Sequence, residues 1–274
     1  FVIGLIHAFI VISTGLKDER TFQDILKNIE LAFGNGIINS ILVLGIFPVY
    51  ESIFGITTKF KLLELSDLNA PLFKRMLIKA PGTYNHSLMV ATMSESACRE
   101  IGANSLMARV GSYYHDIGKI DDAAFYIENK VSDPRAKKLS PLEYSSLIIS
   151  HVDKGVTLAK KYGLPEQVID FIREHHGKTT MTFFYHQALE ATDTNGENSI
   201  QKSDFEYPGP RPNSRETAVV MLADSVEAAS RSLHEPTPAK LESLVRRIVY
   251  NKLNESQLEH SDLTMSDLNR IQKA

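Results

Sequence analysis

Residues 31–50 run for twenty positions without a formal charge, dense in Ile, Leu, Val, Gly and Phe, with Pro48 near the end. A helix needs about 20 apolar residues to cross the hydrocarbon core of a bilayer. The stretch must therefore be either a buried core helix or a membrane span. Gly34, Asn35, Gly36 and Asn39 lie inside it, and small or amide residues of that kind suit close packing between membrane helices. Residues 1–16 also lack formal charge, although His7 interrupts them. They read as a truncated span, because neither a basic start nor a cleavage site of a signal peptide is visible. A connection beginning Lys17-Asp18-Glu19-Arg20 joins the two and carries three basic and four acidic residues through Glu30. Past the second span Lys59, Lys61, Lys74, Arg75 and Lys79 crowd one side. The positive-inside rule then places the C-terminal portion in the cytoplasm. Residues 1–58 are expected to be membrane helices. They would be the last spans of a larger multi-pass region, in a chain that begins at Phe1 as a fragment of something longer.

Beyond the spans almost every segment has a 3.6-residue period. Residues 59–80 predict an amphipathic linker helix ending at an Ala80-Pro81-Gly82 break, and residues 81–274 a cytoplasmic domain. Ser140-Pro141-Leu142-Glu143 is a capping box with proline at the first helical position, launching a helix towards Lys161 that Gly163 ends. Pro165 starts another, which runs to His175-His176 and stops at Gly177. Val219, Val220, Leu222, Ala223, Val226 and Ala229 mark the apolar face of a third over residues 216–232. Residues 192–215 hold Gly, Pro, Asn and Ser in excess and predict a long loop. With no sustained strand alternation, the fold class is all-α: a helical bundle preceded by a membrane hairpin.

The formal charge of −3 over 274 residues argues against a protein that coats a nucleic-acid polymer through bulk charge. The single cysteine, Cys98, excludes an internal disulfide. Its helical spacing from Met89, Met93, Ala97 and Ile101 predicts a buried thiol rather than a nucleophile.

The chemistry-bearing residues form a thin, ordered scatter. His115-Asp116 lies within Gly111-Ser112-Tyr113-Tyr114-His115-Asp116-Ile117-Gly118-Lys119. His86 precedes it by 29 residues, His151 follows by 35, and His175-His176 and Asp224 complete the set. Imidazole and carboxylate are borderline ligands for Fe, Mn or Zn. Seven such groups exceed the need of one tetrahedral ion and match two ions that share a carboxylate. Any one of these histidines could be an ordinary core or surface residue; placement argues otherwise. His86 follows a Pro-Gly-Thr-Tyr break, His115-Asp116 ends a helix before Gly118, and His151 sits on an apolar stripe with Leu147, Ile148 and Val152. Asp224 lies amid Val219, Met221, Leu222 and Ala223, where an unpaired carboxylate is costly to bury. His7, His186, His234 and His260 lack such company and read as structural or exposed. Lys119, one turn beyond the dyad, is either a solvated lysine or a group that meets phosphate charge. Tyr113, Tyr114, Phe183, Phe184 and Tyr185 could stack purines or serve the core.

His86, His115-Asp116-x-Gly118-Lys119, His151, His175-His176 and Asp224 together resemble the HD superfamily of metal-dependent phosphohydrolases, in its two-metal form. The stretches Ala80-Pro81-Gly82-Thr83-Tyr84-Asn85-His86-Ser87, Phe205-Glu206-Tyr207-Pro208-Gly209-Pro210 and Leu222-Ala223-Asp224-Ser225-Val226-Glu227-Ala228-Ala229 resemble one branch, the seven-transmembrane HD family. The resemblance spans essentially the whole chain and implies a bacterial membrane phosphodiesterase that converts cyclic di-AMP to linear pApA through a metal-bridging hydroxide. The Gly-Tyr-Pro signature of the cyclic di-GMP branch is absent after His175-His176. Carried over by position, the resemblance implies one ion on His86, His115, Asp116 and Asp224. The other would lie on Asp116, His151, His175 and His176, with Asp116 bridging. Asp116 and Lys119 are the catalytic candidates, and Lys119, from its place beside the dyad, is also the candidate for substrate binding. Fe and Mn remain open, as does the oligomeric state. So do two other readings: a mononuclear HD nucleotide phosphohydrolase, and a membrane-anchored receptor that binds a nucleotide without cleaving it.

Overall fold

The computed structural model describes residues 2–17, 21–129, 134–193 and 200–274. Asp18, Glu19 and Arg20 of the polar connection, and the part of the 192–215 loop at 194–199, fall outside the described residues, as does the side chain of His7. The described residues are helical without a strand, as the 3.6 period predicts, apart from one antiparallel bridge between Thr180 and Glu206. They divide into two units, Phe1–Ile56 and Thr57–Ala274.

The N-terminal unit is a pair of helices, α1 (Val2–Lys17) and α2 (Phe22–Phe54). Thr21 caps α2 by accepting from the Asp24 amide, and Gly55 ends it in the left-handed region at φ 61°. At 1.5 Å per residue its 33 residues span about 50 Å, more than the bilayer core needs. The stretch Phe22–Glu51 is long and apolar enough to cross a membrane, and only 12% of its most apolar window is buried. A soluble core helix would bury that surface. The small residues have a local use here: Gly36 lies so close to α1 that a methyl group on it would come within 3.3 Å of Gly4 Cα. Asn39 Nδ2 donates to Asn35 Oδ1 at 3.1 Å, one turn back.

In the second unit, residues 59–80 form two helices, α3 (Lys59–Leu65) and α4 (Pro71–Lys79), where one was expected. Asp67 turns the chain between them, its carboxylate accepting from the Asn69 amide at 2.8 Å. Leu62, Leu72, Phe73 and Met76 are buried against Val110, Tyr114, Ile117, Ile169 and Ile172, each contributing about 1.5–3 kcal/mol of burial. The segment is thus part of the domain core. The Ala80-Pro81-Gly82 sequence is also tighter than a break. Ala80 alone separates α4 from α5 (Pro81–Glu100), and proline occupies the first helical position, where its missing N–H costs nothing. Ala80 supplies no side-chain cap. Asn129 does so from 46 residues away, its Oδ1 accepting from the amides of Gly82 and Thr83 at 2.9 and 3.1 Å. A Cβ on Gly82 would fall 2.1 Å from the Glu128 carbonyl, so only glycine permits this approach.

α6 (Ser105–Tyr114) follows, capped by Asn104, and then 3-10 turns at Ile117–Lys119, Ala123–Phe125, Ile127–Asn129 and Ala136–Lys138. The Ser140–Glu143 capping box is present, but the helix it launches is interrupted. α7 (Pro141–Ile149) stops at Ser150, whose hydroxyl donates to Leu147 O at 2.6 Å, and α8 (His151–Lys161) resumes at once. Such a side-chain bond to the preceding turn competes with the helical ladder. α9 (Glu166–Glu174) and α10 (Thr182–Asp193) precede the loop containing the 3-10 turn Lys202–Phe205. Then come α11 (Arg215–Ser230), α12 (Pro238–Asn254) and α13 (Met265–Ile271). Cys98 is fully buried, and burial pushes its thiol up to about 12.

Gly118 sets how closely the turn after the dyad meets α8. A Cβ there would lie 1.9 Å from His151 O and 2.6 Å from Gly155 N. Both neighbours are backbone, so neither can swing aside. We expect Gly118→Ala to destabilise the chain by about 3 kcal/mol and to displace His151 from Asp116. A thermal melt of the variant within a degree of the parent would contradict that packing.

Candidate metal centre

The four helices α5, α6, α9 and α11 converge, and the turn after α6 packs on α8. The site lies where they meet. His86 projects from the second turn of α5. His115 ends α6, with Asp116 directly after it; His151 opens α8; His175-His176 follow α9; and Asp224 sits midway along α11. All seven residues singled out in the sequence meet here. His86, His115, Asp116, His151, His175 and Asp224 are buried, and His176 is partly exposed.

The orientation of the rings follows from their outer nitrogens. Nδ1 of His115 lies 2.7 Å from Ser112 O, and Nδ1 of His151 lies 2.6 Å from Ile148 O. Nδ1 of His175 lies 3.0 Å from both Phe171 O and Ile172 O. A carbonyl only accepts, so these nitrogens carry the proton, and in the neutral ring each Nε2 is a bare lone pair. His86 differs: its Nδ1 lies 2.5 Å from Glu227 Oε2, a carboxylate.

The inner nitrogens then collide in charge. Nε2 of His86 and of His115 are 3.3 Å apart, and each is 3.3 Å from Asp116 Oδ2. Nε2 of His151 and of His175 are also 3.3 Å apart, and lie 3.4 and 3.6 Å from Asp116 Oδ1. Neither oxygen of Asp116 has an aligned hydrogen-bond donor, although Lys119 Nζ forms an ion pair with Oδ2 at 2.6 Å. Asp224 Oδ1 adds a contact of 3.0 Å to His86 Nε2, and Oδ2 one of 3.7 Å to His176 Nδ1. Acceptors facing acceptors at these distances repel unless a cation lies among them. Two sets, His86-His115-Asp116 and Asp116-His151-His175-His176, each offer donor atoms within 4.8 Å of one another and could hold a metal ion.

Without a cation, protons substitute on one side only. Burial opposes charge on His86, but Asp116, Asp224 and Glu227 outweigh it and push the imidazole up to about 11. His115 is buried too, and Asp116 foremost raises it to about 9. On the other side burial dominates, taking His151 down to about 3 and lowering His175 and His176. Burial alone would raise Asp116 and Asp224. Lys119 and His115 instead hold Asp116 well below the carboxylate range, and His115 and His86 do the same for Asp224.

Lys119 is buried rather than solvated. Its ammonium bridges Asp116 and Glu128, the latter at 3.2 Å, and lies 5.1 Å from the Tyr126 ring centroid. Tyr207, from the loop after α10, packs on His176 with centroids 4.1 Å apart. The Tyr207 amide donates to Thr179 O at 3.0 Å, which ties that loop to the segment following the histidine pair. Of the aromatics, Tyr113 and Tyr114 pack on Phe73, and the Tyr114 hydroxyl donates to Leu65 O at 2.9 Å. Phe184 stacks on Tyr144, Tyr185 tilts on Phe205, and Phe183 is exposed. His186, His234 and His260 are exposed and belong to neither set, as their sequence context implies. Glu227, Glu128 and Arg231, which surround His86 and Lys119, were not singled out from the sequence. The signal for Glu227 was its place three residues after Asp224 on one helix.

A family profile described as "HD domain" matches residues 83–229, and one described as "7TM receptor with intracellular HD hydrolase" matches residues 1–58. The cyclic-di-AMP phosphodiesterase PgpH of Bacillus subtilis is 44% identical over 240 residues, covering 87% of this chain and 33% of that protein. The PgpH of Listeria monocytogenes is 37% identical over 274 residues, covering 99% of this chain and 38% of that protein. The chain thus spans about a third of the length of these relatives. The crystal structure of the L. monocytogenes PgpH HD domain in complex with cyclic di-AMP superposes with a TM-score of 0.70 at 38% identity, covering 76% of this chain and 95% of that one.

The chelated chain should be most stable near neutral pH. His86 has a folded value of about 11, above the ordinary 6.5. Its contribution is full below 6.5 and is lost as pH rises towards 11. His151, lowered to about 3, costs stability as pH falls from 6.5 towards 3. Melts in chelator from pH 5 to 10 should therefore fall on both sides, and adding divalent metal should raise the alkaline limb, because bound ions replace those protons. A melting temperature independent of both pH and chelator would contradict this account of the cluster.

Proposed function

This chain belongs to the HD-domain family, and from that membership we propose that it is a membrane-anchored phosphodiesterase that hydrolyses cyclic di-AMP to linear pApA. The observation that carries the reading is Asp116, whose two buried oxygens face separate pairs of imidazole nitrogens. Such a carboxylate suits two divalent ions, Fe or Mn, since the nitrogen and oxygen donors fit both. Asp116 would serve both ions, His86, His115 and Asp224 completing one position and His151, His175 and His176 the other. When bound there, such ions would supply Lewis acidity, activating a water as the nucleophile and offsetting charge on the phosphate.

The remaining steps belong to the chain's own residues. Backbone carbonyls under His115, His151 and His175 fix which nitrogen faces inward, so the rings are oriented before substrate arrives. Lys119, held by Asp116 and Glu128, would add positive charge beside the phosphate and offset the shared carboxylate. Tyr207 against His176 sets the loop Phe205-Glu206-Tyr207-Pro208-Gly209-Pro210-Arg211 at the edge of the site, where base edges can be read. The profile match over residues 1–58 and the exposed apolar surface of α2 support an anchor in a bacterial cell membrane. The lysines and Arg75 that follow support a cytoplasmic catalytic domain. The names of the B. subtilis and L. monocytogenes relatives support cyclic di-AMP as substrate.

Elemental analysis of anaerobically purified chain, alongside hydrolysis assays, tests the reading. We expect two Fe or Mn per chain, and loss of turnover to background with loss of metal in Asp116→Ala. Two metals and normal turnover in that variant would dismiss the shared carboxylate. A single ion in the active parent would favour a mononuclear enzyme, and two ions without cleavage a receptor.

Base preference is separately testable. A site that hydrogen-bonds one exocyclic edge rejects the other by orders of magnitude, because mismatched buried polar groups stay unpaired. The kcat/KM for cyclic di-AMP should exceed that for cyclic di-GMP by at least a hundredfold. Equal values would discard the adenine preference and leave the phosphodiesterase intact.

A further inference from the structure

Behind the first set of ligands the side chains close into a ring of alternating charge. Asp116 Oδ2 meets Lys119 Nζ at 2.6 Å, and Lys119 meets Glu128 Oε1 at 3.2 Å. Glu128 Oε2 lies 3.7 Å from Arg231 Nη1. Arg231 grips both oxygens of Glu227, with Nε on Oε1 at 3.0 Å and Nη2 on Oε2 at 2.5 Å. Glu227 Oε2 holds His86 Nδ1 at 2.5 Å, and His86 Nε2 returns to Asp116 Oδ2 at 3.3 Å. Thr83 Oγ1 donates to Glu128 Oε1 at 3.1 Å and pins the far side of the ring.

The ring fixes the state of one ring nitrogen. Arg231 Nη2 also lies 2.9 Å from His86 Nδ1, but the guanidinium can only donate and a carboxylate can only accept. The contact to Glu227 therefore requires a proton on Nδ1, so in the neutral ring the lone pair is on Nε2 and faces Asp116. The other rings lack this support: His115, His151 and His175 rest on backbone carbonyls. Three carboxylates alternate with two cations around the ring, and one of those carboxylates, Glu227, stands directly behind His86. A carboxylate behind an imidazole makes it a stronger donor and holds its plane, and removing such a partner typically weakens metal binding 10–100-fold.

We propose that Glu227, clamped by Arg231, is the positioning residue of His86, and that it makes the His86-His115-Asp116 position the tighter of two unequal metal positions. The inference rests on the two-ion reading and adds an order of filling to it: the first ion enters on the His86 side.

Titration of the metal-stripped full chain with Mn(II), followed by equilibrium binding and electron paramagnetic resonance, tests it. The parent should bind two ions in two resolved steps and end as a magnetically coupled pair. In Glu227→Gln the tighter step should weaken 10–100-fold while the weaker step keeps its value. The first equivalent should then give the signal of an isolated ion at the other position. Arg231→Gln, altered on the more exposed side of the pair, should shift the same step by a smaller factor. It keeps the test alive if the first variant does not fold, and Glu227→Asp should restore part of the affinity. Equal weakening of both steps would mark Glu227 as merely structural, and that result overturns the proposal. Unchanged binding, or weakening of the second step alone, overturns it equally. A parent that binds a single ion would instead overturn the two-ion reading.

Discussion

A buried carboxylate without an aligned hydrogen-bond donor is the constraint on which this domain depends. Taking one such charge out of water costs several kcal/mol after relaxation, and Asp116 is wholly enclosed. Three kinds of partner offset the cost together: the ammonium of Lys119, the imidazoles of His86 and His115, and the cations the site could hold. Each has to arrive from a different part of the chain, so the helices must end where the donors are needed. Five of the seven donors lie at or just beyond helix ends, where backbone direction changes and side chains from several elements can converge on one point. The core serves this geometry. Ile117 is buried within two residues of His115, and Ile172 within three of His175, so apolar packing and ligand placement cannot be separated locally.

The ligand set was legible because its chemistry conflicts with its surroundings. A histidine on the stripe of Leu147, Ile148 and Val152, or an aspartate between Ala223 and Ser225 on an apolar helix, is costly unless something binds it. Helix identity was legible for the same reason as in any amphipathic chain. Boundaries were less so. The stop at Ser150 depends on a hydroxyl that finds a carbonyl three residues back, and the division of residues 59–80 depends on an aspartate that turns the chain at 67; neither changes the hydrophobic period. Pro81 and Gly82 are common turn residues, and only the tertiary approach of the Glu128 carbonyl shows why this glycine opens a helix instead. In the sequence Glu128 and Glu227 look like ordinary surface acids, and their supporting role arises only when the fold brings Lys119, Arg231 and His86 to them.

The two halves of the site are built on different principles. The side holding His151 and His175 relies on backbone carbonyls, which are neutral and supplied by any helix end. The side holding His86 relies on side-chain charge, with Glu227 and Arg231 one turn apart on the same helix. Carbonyl support survives most substitutions, because it belongs to the backbone. Charged support is specific to its residues and sensitive to neighbours. Burial and neighbouring charge accordingly push the imidazoles of the two halves in opposite directions before any ion is bound.

The start of α5 has a bearing on how this corner of the molecule assembles. Helix initiation is ordinarily a local affair, settled by a residue adjacent to the first turn. Here the first free amides are satisfied by Asn129, and Asn129 is itself held by Thr83 Oγ1 and Ala123 O. The first turn of the helix that carries His86 is therefore complete only after a loop of some 46 residues has closed. What would otherwise be a short-range structure becomes a long-range one. Fraying of that turn and detachment of residues 123–129 are then one event, so this part of the chain opens and closes as a single cooperative unit.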